Sequence, residues 1–206
     1  MWCFINLNFY AAQNYAFLCQ AMLDTAELLY AYSQGYFPMA VPEENNEVCW
    51  FKPDMRGIIP LDTFHVSKNL KRLYNKGHFE LRINGDFEGT MRGCAARDDT
   101  WISEEIIAAY CKLNDMGYGF SFETWRNGKL VGGLYGVALG RVFFGESMFH
   151  TETDASKIAL LFLVEFLQEN NFQLLDTQYI NDHLVQFGAI EIPNEEYEEL
   201  LARALE

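Results

Sequence analysis

Between Leu130 and Gln178 the hydrophobic period changes twice, and that change limits the folds open to this chain more than any other feature of its 206 residues. Leu130 to Val137 and Arg141 to Phe149 are rich in Val, Leu, Tyr and Phe and are joined at Ala138-Leu139-Gly140, the pattern of two strands in an antiparallel hairpin. From Ser156 to Gln168 the spacing becomes helical, with Leu160, Leu163 and Leu167 on one stripe and Asp154 or Ser156 available as N-cap. After Asn170-Asn171, Gln173 to Gln178 reads as a third short strand, whose period of two sends Asp176 and Gln178 out of one face. Strand, strand, helix, strand, with Glu146, Asp176 and Gln178 near strand ends, is a site-like arrangement in a sheet covered by helices.

The rest of the chain supplies further elements. Thr25 to Tyr32 is a helical pattern stopped near Gly35, and Val48 to Phe51 enters a strand before the Pro53-Asp54 turn. Gly57 to Leu61 is a strand, and Ser67 caps a helix that stops at Gly77 and carries Lys68, Lys71, Arg72 and Lys76 opposite its apolar side. His78 to Ile83 alternates as a strand, Phe87 to Cys94 reads as a helix, and another helix begins after Ser103. Asn127-Gly128 is a strong hairpin signal, so Phe120 to Trp125 is expected to pair with Leu130 to Val137. Asn194 to Leu205 is an acidic terminal helix or tail with a solvated face. The fold class is therefore α+β, with a small N-terminal lobe at 1–97 and a second lobe at 98–206.

Half of the residues are hydrophobic, enough for a sizeable core. The five cysteines form no CxxC pair and have no histidines at zinc-site spacing, so neither a metal nor a disulfide framework is expected, and reduced thiols fit a cytoplasm. Lys52 is the first basic residue, so no secretory leader is expected, and the polar residues scattered through Met1 to Leu23 argue against a membrane span. A net charge of −14 opposes broad contact with nucleic acid. Its distribution is uneven: residues 52–97 hold nine basic and five acidic residues, whereas 98–206 hold six and nineteen. The Lys68–Lys76 helix face is the longest basic stretch without an acid.

Several strings recur in a known order: AYSQGYFP (31–38), WFKPDMR (50–56), TWI (100–102), SFETW (121–125), GGLYG (132–136), GESMF (145–149), SK opening a helix, DTQ (176–178), NDH (181–183) and FGA (187–189). In this order and spacing the chain resembles the leucyl/phenylalanyl-tRNA–protein transferases over roughly Ala31 to Ile192. The resemblance implies an acyltransferase lobe of the N-acetyltransferase superfamily (GNAT-like) and no cofactor. Its implied substrates are aminoacyl-tRNA carrying Leu, Phe or Met and a protein with N-terminal Arg or Lys; a monomer is expected. By resemblance Gln178, Asp176 and Glu146 carry the chemistry. Trp50, with Phe51, and Trp101 line the site of the terminal adenosine, and Lys68, Lys71, Arg72 and Lys76 contact the tRNA acceptor arm. Phe120 stands where the family places a histidine, and Gln20 to Leu23 lack its usual Gly-Gly-Asp-Leu.

The implied reaction is attack of an α-amino group on the ester between an amino acid and ribose. That ester is already activated, so no covalent nucleophile is needed, and Ser147 indeed lacks the G-x-S-x-G context of one. A neutral glutamine is no ordinary base; Gln178 is expected to accept a hydrogen bond from the amine, with Asp176 polarising it. Leu134, Phe143, Leu160, Leu163 and Leu167 are candidates for the apolar pocket and also read as ordinary core. Two alternatives stand beside this reading. A CoA-dependent acetyltransferase would need a glycine-rich phosphate turn, which His150 to Ser156 does not supply. A relative without catalysis would serve as a tRNA- or protein-binding module.

Overall fold

A computed structural model describes residues 23–41, 44, 47–97 and 100–206; the uncharged segment 1–22 lies outside them. The chain opens with helix α1 (Thr25–Ser33), whose N-cap Asp24 accepts from the amides of Ala26 and Glu27. Gly35, at φ +80°, then turns it into strand β1 (Phe37–Val41), which pairs antiparallel with β2 (Glu47–Phe51). β3 (Met55–Ile59), α2 (Lys68–Asn75), β4 (Glu80–Ile83) and α3 (Phe87–Ala95) follow. Ser67 caps α2 through the Leu70 amide, and Ser103 caps α4 (Glu104–Asp115) through that of Ile106.

The meander at the centre matches its sequence signals closely. β5 (Gly119–Arg126) turns at Asn127-Gly128, both at positive φ, into β6 (Lys129–Leu139), and Gly140, at φ +58°, begins the return through β7 (Val142–His150). Helix α5 (Ala155–Glu169) crosses back to β8 (Leu174–Gln178), which therefore lies parallel to β7. The short α6 (Asp182–Val185), β9 (Ile190–Pro193) and α7 (Asn194–Leu205) complete the described chain. The large sheet is mixed, with order β4-β5-β6-β7-β8-β3-β9 and β7–β8 as its parallel pair. β3 and β4 precede residue 97, so the boundary expected there falls inside one continuous sheet.

Side chains alternate across this sheet into two apolar layers. Val142, Phe144 and Leu174 pack with α1, α3, α4, α7 and the β1–β2 hairpin, whereas Phe143, Met148 and Leu175 pack with α2 and α5. Burial of apolar surface on both faces is the main stabilising term. Helix α7 is not a purely solvated tail: Tyr197, Leu201 and Ala204 are buried in the first layer. No helix among the described residues is long and apolar enough to cross a membrane.

Candidate active site

The ladder between β7 and β8 ends at Phe144↔Asp176. Beyond that pair the two parallel strands part, and ligands of open α/β sheets bind at such carboxyl-end crevices. A β-bulge sits at the same level on β7: Tyr135 faces Ser147 and Gly136 faces Gly145, which leaves Glu146 as the extra residue. A methyl group on Gly136 would lie 2.2 Å from the Phe144 carbonyl oxygen, so only glycine permits this close approach. The bulge turns the Glu146 carboxylate toward α1 and α4, where the Tyr32 hydroxyl donates to Oε1 at 2.6 Å. The Tyr110 hydroxyl hydrogen-bonds in turn to that of Tyr32.

Gln178 reaches the same carboxylate from β8. Its Nε2 donates to Glu146 Oε1 at 2.9 Å, bridging the gap between the parted strands. The main chain of Gln178 is left-handed, at φ +64°, a conformation rarely held by a residue with a Cβ outside functional sites. Two features accompany it. The Gln178 N–H donates to Asp176 Oδ1 at 2.8 Å, and the chain after Gln178 folds so closely over Gly57 that a methyl there would meet the Tyr179 carbonyl carbon at 2.7 Å.

Asp176 is wholly buried and paired with an equally buried Arg56 on β3. Arg56 Nε donates to Oδ1 at 2.9 Å and Nη2 to Oδ2 at 2.6 Å, while the Tyr197 hydroxyl donates to Oδ2 at 2.8 Å. Burial alone would make Arg56 easier to deprotonate, but the Asp176 carboxylate outweighs it and raises the guanidinium pKa. The expected polarisation of the Gln178 amide by Asp176 is thus replaced by a main-chain contact; Glu146 is the carboxylate that touches the amide.

The electrostatics of Glu146 differ from those of Asp176. Burial pushes its carboxyl up to about 7, against hydrogen bonds from Tyr32 and Gln178 that favour the anion. Burial first, and then the nearby Glu146 charge, hold the phenols of Tyr32, Tyr110 and Tyr135 well above their usual range, so they remain protonated. Among the described residues, Glu146 Oε2 and the Tyr135 hydroxyl are buried without a hydrogen-bond partner. A buried acceptor left open in this way fits a ligand that brings its own donor.

The sequence-derived set divides in space. Gln178, Asp176 and Glu146 come together. Trp50 and Phe51 are buried on β2 in the same layer, against which Trp101 is half-buried, its carbonyl accepting from the Ala40 amide at 3.2 Å. Phe37 links this aromatic group to the residue after Gln178, its ring lying 5.8 Å from that of Tyr179. Leu134, Phe143, Leu160, Leu163 and Leu167 are all buried in the second layer, on the opposite face of the sheet. On that side a cavity of about 690 Å³ lies at the β7 and β8 ends, lined in part by His150, Ser156, Lys157, Asn181 and His183. Asp154 occupies the N-cap position of α5 at φ +64° but pairs with Lys157 at 3.0 Å instead of capping an amide.

The basic set also divides. Lys68, Arg72 and Lys76 recur every fourth residue on the exposed side of α2 and make no ion pair among the described residues, whereas Lys71, still partly exposed, is paired with Glu165 of α5. Four site residues escaped the sequence reading: Tyr32, Arg56, Tyr110 and Tyr197. A signal existed for Arg56, which shares the inward parity of Ile58 on a buried strand.

The chain is similar to known proteins along most of its length. A family model described as "Leucyl/phenylalanyl-tRNA protein transferase" matches residues 58–202, and one for the N-terminal domain of that family matches 21–54. The protein of that name from Paramagnetospirillum magneticum is 50% identical over 186 residues, 88% of this chain and 89% of the relative. Its counterpart in Gloeobacter violaceus is 52% identical over 178 residues, 86% of this chain and 92% of the relative. Among solved structures, L-PGS from Bacillus licheniformis superposes with a TM-score of 0.42 at 13% identity; the match covers 86% of this chain and 61% of that one, under two thirds of its length. With two family models covering nearly all of the described residues and relatives half identical along almost their whole lengths, the chain belongs to the leucyl/phenylalanyl-tRNA protein transferase family.

Proposed function

We propose that this protein transfers leucine, phenylalanine or methionine from aminoacyl-tRNA to the α-amino group of a protein that begins with Arg or Lys, forming a peptide bond and marking the acceptor for degradation. The observation that carries the mechanism is the bridge from Gln178 Nε2 to Glu146 across the parted β7 and β8. With its nitrogen held there, the Gln178 carbonyl oxygen is left to accept a hydrogen bond from the incoming amine and fix its line of attack. The neutral amine nitrogen attacks the ester carbon and the C–O bond to ribose breaks. The nitrogen loses one proton, which passes by way of ionised Glu146 to the departing ribose oxygen. A carboxyl titrating near neutrality is suited to both halves of that transfer. Glu146 Oε2 is available to the ammonium of the donor amino acid.

Trp50, Phe51 and Trp101 then hold the terminal adenosine, and the exposed Lys68, Arg72 and Lys76 stripe contacts the acceptor arm. The amino-acid side chain passes between β7 and β8 into the layer of Leu134, Phe143, Leu160, Leu163 and Leu167. We read the splayed parallel pair and the bulge on β7 as an N-acetyltransferase-like arrangement. The net charge of −14 favours approach of a basic N-terminus, and the reaction is placed in the cytoplasm. The test is transfer of labelled leucine from leucyl-tRNA to a peptide beginning with Arg. Gln178→Ala is expected to lower the rate by about two orders of magnitude; no transfer by the wild type, or full transfer by the variant, refutes the reading.

A further inference from the structure

We propose that Arg56, together with Tyr197, is a positioning residue of the transfer reaction: through the Asp176 carboxylate these two side chains hold the main chain of Gln178 in the conformation that aims its amide at the reacting ester. This rests on the transferase reading above and extends it to two residues that touch neither substrate.

The acceptor capacity of Asp176 sets the first constraint. A carboxylate has about four lone-pair sites. Oδ1 receives Arg56 Nε at 2.9 Å and the Gln178 N–H at 2.8 Å, and Oδ2 receives Arg56 Nη2 at 2.6 Å and the Tyr197 hydroxyl at 2.8 Å. All four are filled by groups within the protein. Asp176 therefore has nothing left with which to take a proton from the amine or polarise the Gln178 side chain, and its one link to the reaction is the Gln178 N–H.

That link requires a fixed carboxylate plane. The two parallel bonds from the Arg56 fork set it. Arg56 is itself clamped: Nη1 donates to the Gly35 carbonyl at 2.9 Å, and its guanidinium carbon lies 4.8 Å from the centre of the Phe37 ring and 4.5 Å from that of Tyr197. Arg56 and Asp176 are both 0% exposed, and a buried ion pair is seldom a net source of stability compared with apolar side chains of the same size. Left-handed backbone at a glutamine persists only where its surroundings over-determine it. Here the restraints are the Asp176 acceptor, the close packing over Gly57 and the Glu146 bridge. Rotation of the Asp176 carboxylate would release the first and let the Gln178 amide swing away from the crevice.

The test uses the full chain, with steady-state transfer of leucine from leucyl-tRNA to an Arg-initiated peptide and residue-resolved exchange of the Gln178 amide proton. Tyr197→Phe deletes one hydroxyl, and Arg56→Lys removes the fork but keeps a charge. Expected are falls in kcat of roughly fivefold and roughly fiftyfold, with KM for both substrates unchanged. In step with these, the Gln178 amide is expected to lose protection by about tenfold while Leu175 on the same strand keeps its own. A rise in KM parallel to the fall in kcat, or a fall in kcat with the Gln178 amide unmoved, overturns the proposal. If Arg56→Lys fails to fold, the milder Tyr197→Phe decides by the same criteria. A wild type that transfers nothing overturns the transferase reading instead, and an unmoved Gln178 amide in the variants then overturns the positioning by itself.

Discussion

Replacement of Glu146 by Gln isolates the most perturbed carboxyl of the site. Its pKa is raised from the usual 4.5 to about 7, chiefly by burial. Between those values the folded protein keeps a proton that the unfolded chain has released, so folding takes up a proton and stability falls as the pH rises through this window. The contribution is fully present below pH 4.5 and lost above pH 7. A shift of that size corresponds to about 3 kcal/mol. The amide of the variant cannot titrate. The stability difference, Glu146→Gln minus wild type, should therefore move in favour of the variant by about 3 kcal/mol across the window, whatever its value at acid pH. Denaturant unfolding of both proteins at a series of pH values measures it. His150 and His183, whose pKa values burial lowers, titrate in both proteins and cancel in the difference. The rate carries a second signature: the wild-type profile should climb through about pH 7 as Glu146 ionises, and the variant should keep only the rise at about pH 8 with which the acceptor's α-amine is deprotonated. A stability difference that is flat with pH, or that turns against the variant as pH rises, refutes the assignment of a buried, neutral-prone carboxyl to Glu146.

Joint replacement of Lys68, Arg72 and Lys76 by Ala should raise KM for aminoacyl-tRNA and make log affinity against log salt shallower by about two to three units, as expected for three lost phosphate contacts. Lys71→Ala, which breaks the tie to Glu165 on α5, should leave that slope nearly unchanged and alter stability by about 0–1 kcal/mol; equal salt effects from the two variants would count against the α2 stripe as the tRNA face. Gly57→Ala places a methyl 2.7 Å from the Tyr179 carbonyl carbon, so the chain beyond Gln178 must move. The expected result is about 1–3 kcal/mol of destabilisation in thermal or denaturant unfolding and a fall in kcat larger than any change in KM. A Gly57→Ala enzyme with wild-type kcat would show that the left-handed turn at Gln178 is not needed.

Elements held by local chemistry were the legible ones. Asn127-Gly128 specifies a two-residue turn whatever surrounds it, and the stripe of Leu160, Leu163 and Leu167 follows from helical geometry alone; both stand in the structure as the spacing requires. What local spacing leaves unread lies where distant segments meet. Phe37–Val41 follows a helix stop and contains Pro38, so nothing local marks it as a strand; its pairing with Glu47–Phe51 supplies the ladder. Five acids from Asn194 to Glu206 would suggest a solvated helix, yet the Tyr197, Leu201 and Ala204 stripe buries one side of it. Arg56 is the sharpest case. The strand expected from the sequence starts one residue after it, at Gly57, and its partner Asp176 lies 120 residues away.

The same distinction explains why five apolar candidates could be listed from the sequence yet not placed relative to Glu146. Period two puts Phe143 and Phe144 on opposite faces, and nothing in the sequence says where neighbouring strands stop pairing. Glu146 lies on the Phe144 face, the five apolar candidates on the other, and a paired sheet between them would be a barrier to any substrate reaching both. The ladder stops at Phe144↔Asp176, one residue before Gly145 and two before Gln178. Under the proposed function that short gap is the passage: the ester carbon sits in it, the polar groups act from one face, and the amino-acid side chain leaves through the other. The restraints described around Gln178 all act at this opening. Arg56 and Asp176 fix its main chain, Gly57 leaves it room to turn, and Glu146 holds its amide across the gap. Under that function the buried ion pair that joins β3 to β8 and the bulge on β7 are two halves of one device, a sheet opened at a single point with a hydrogen-bonding group on each lip.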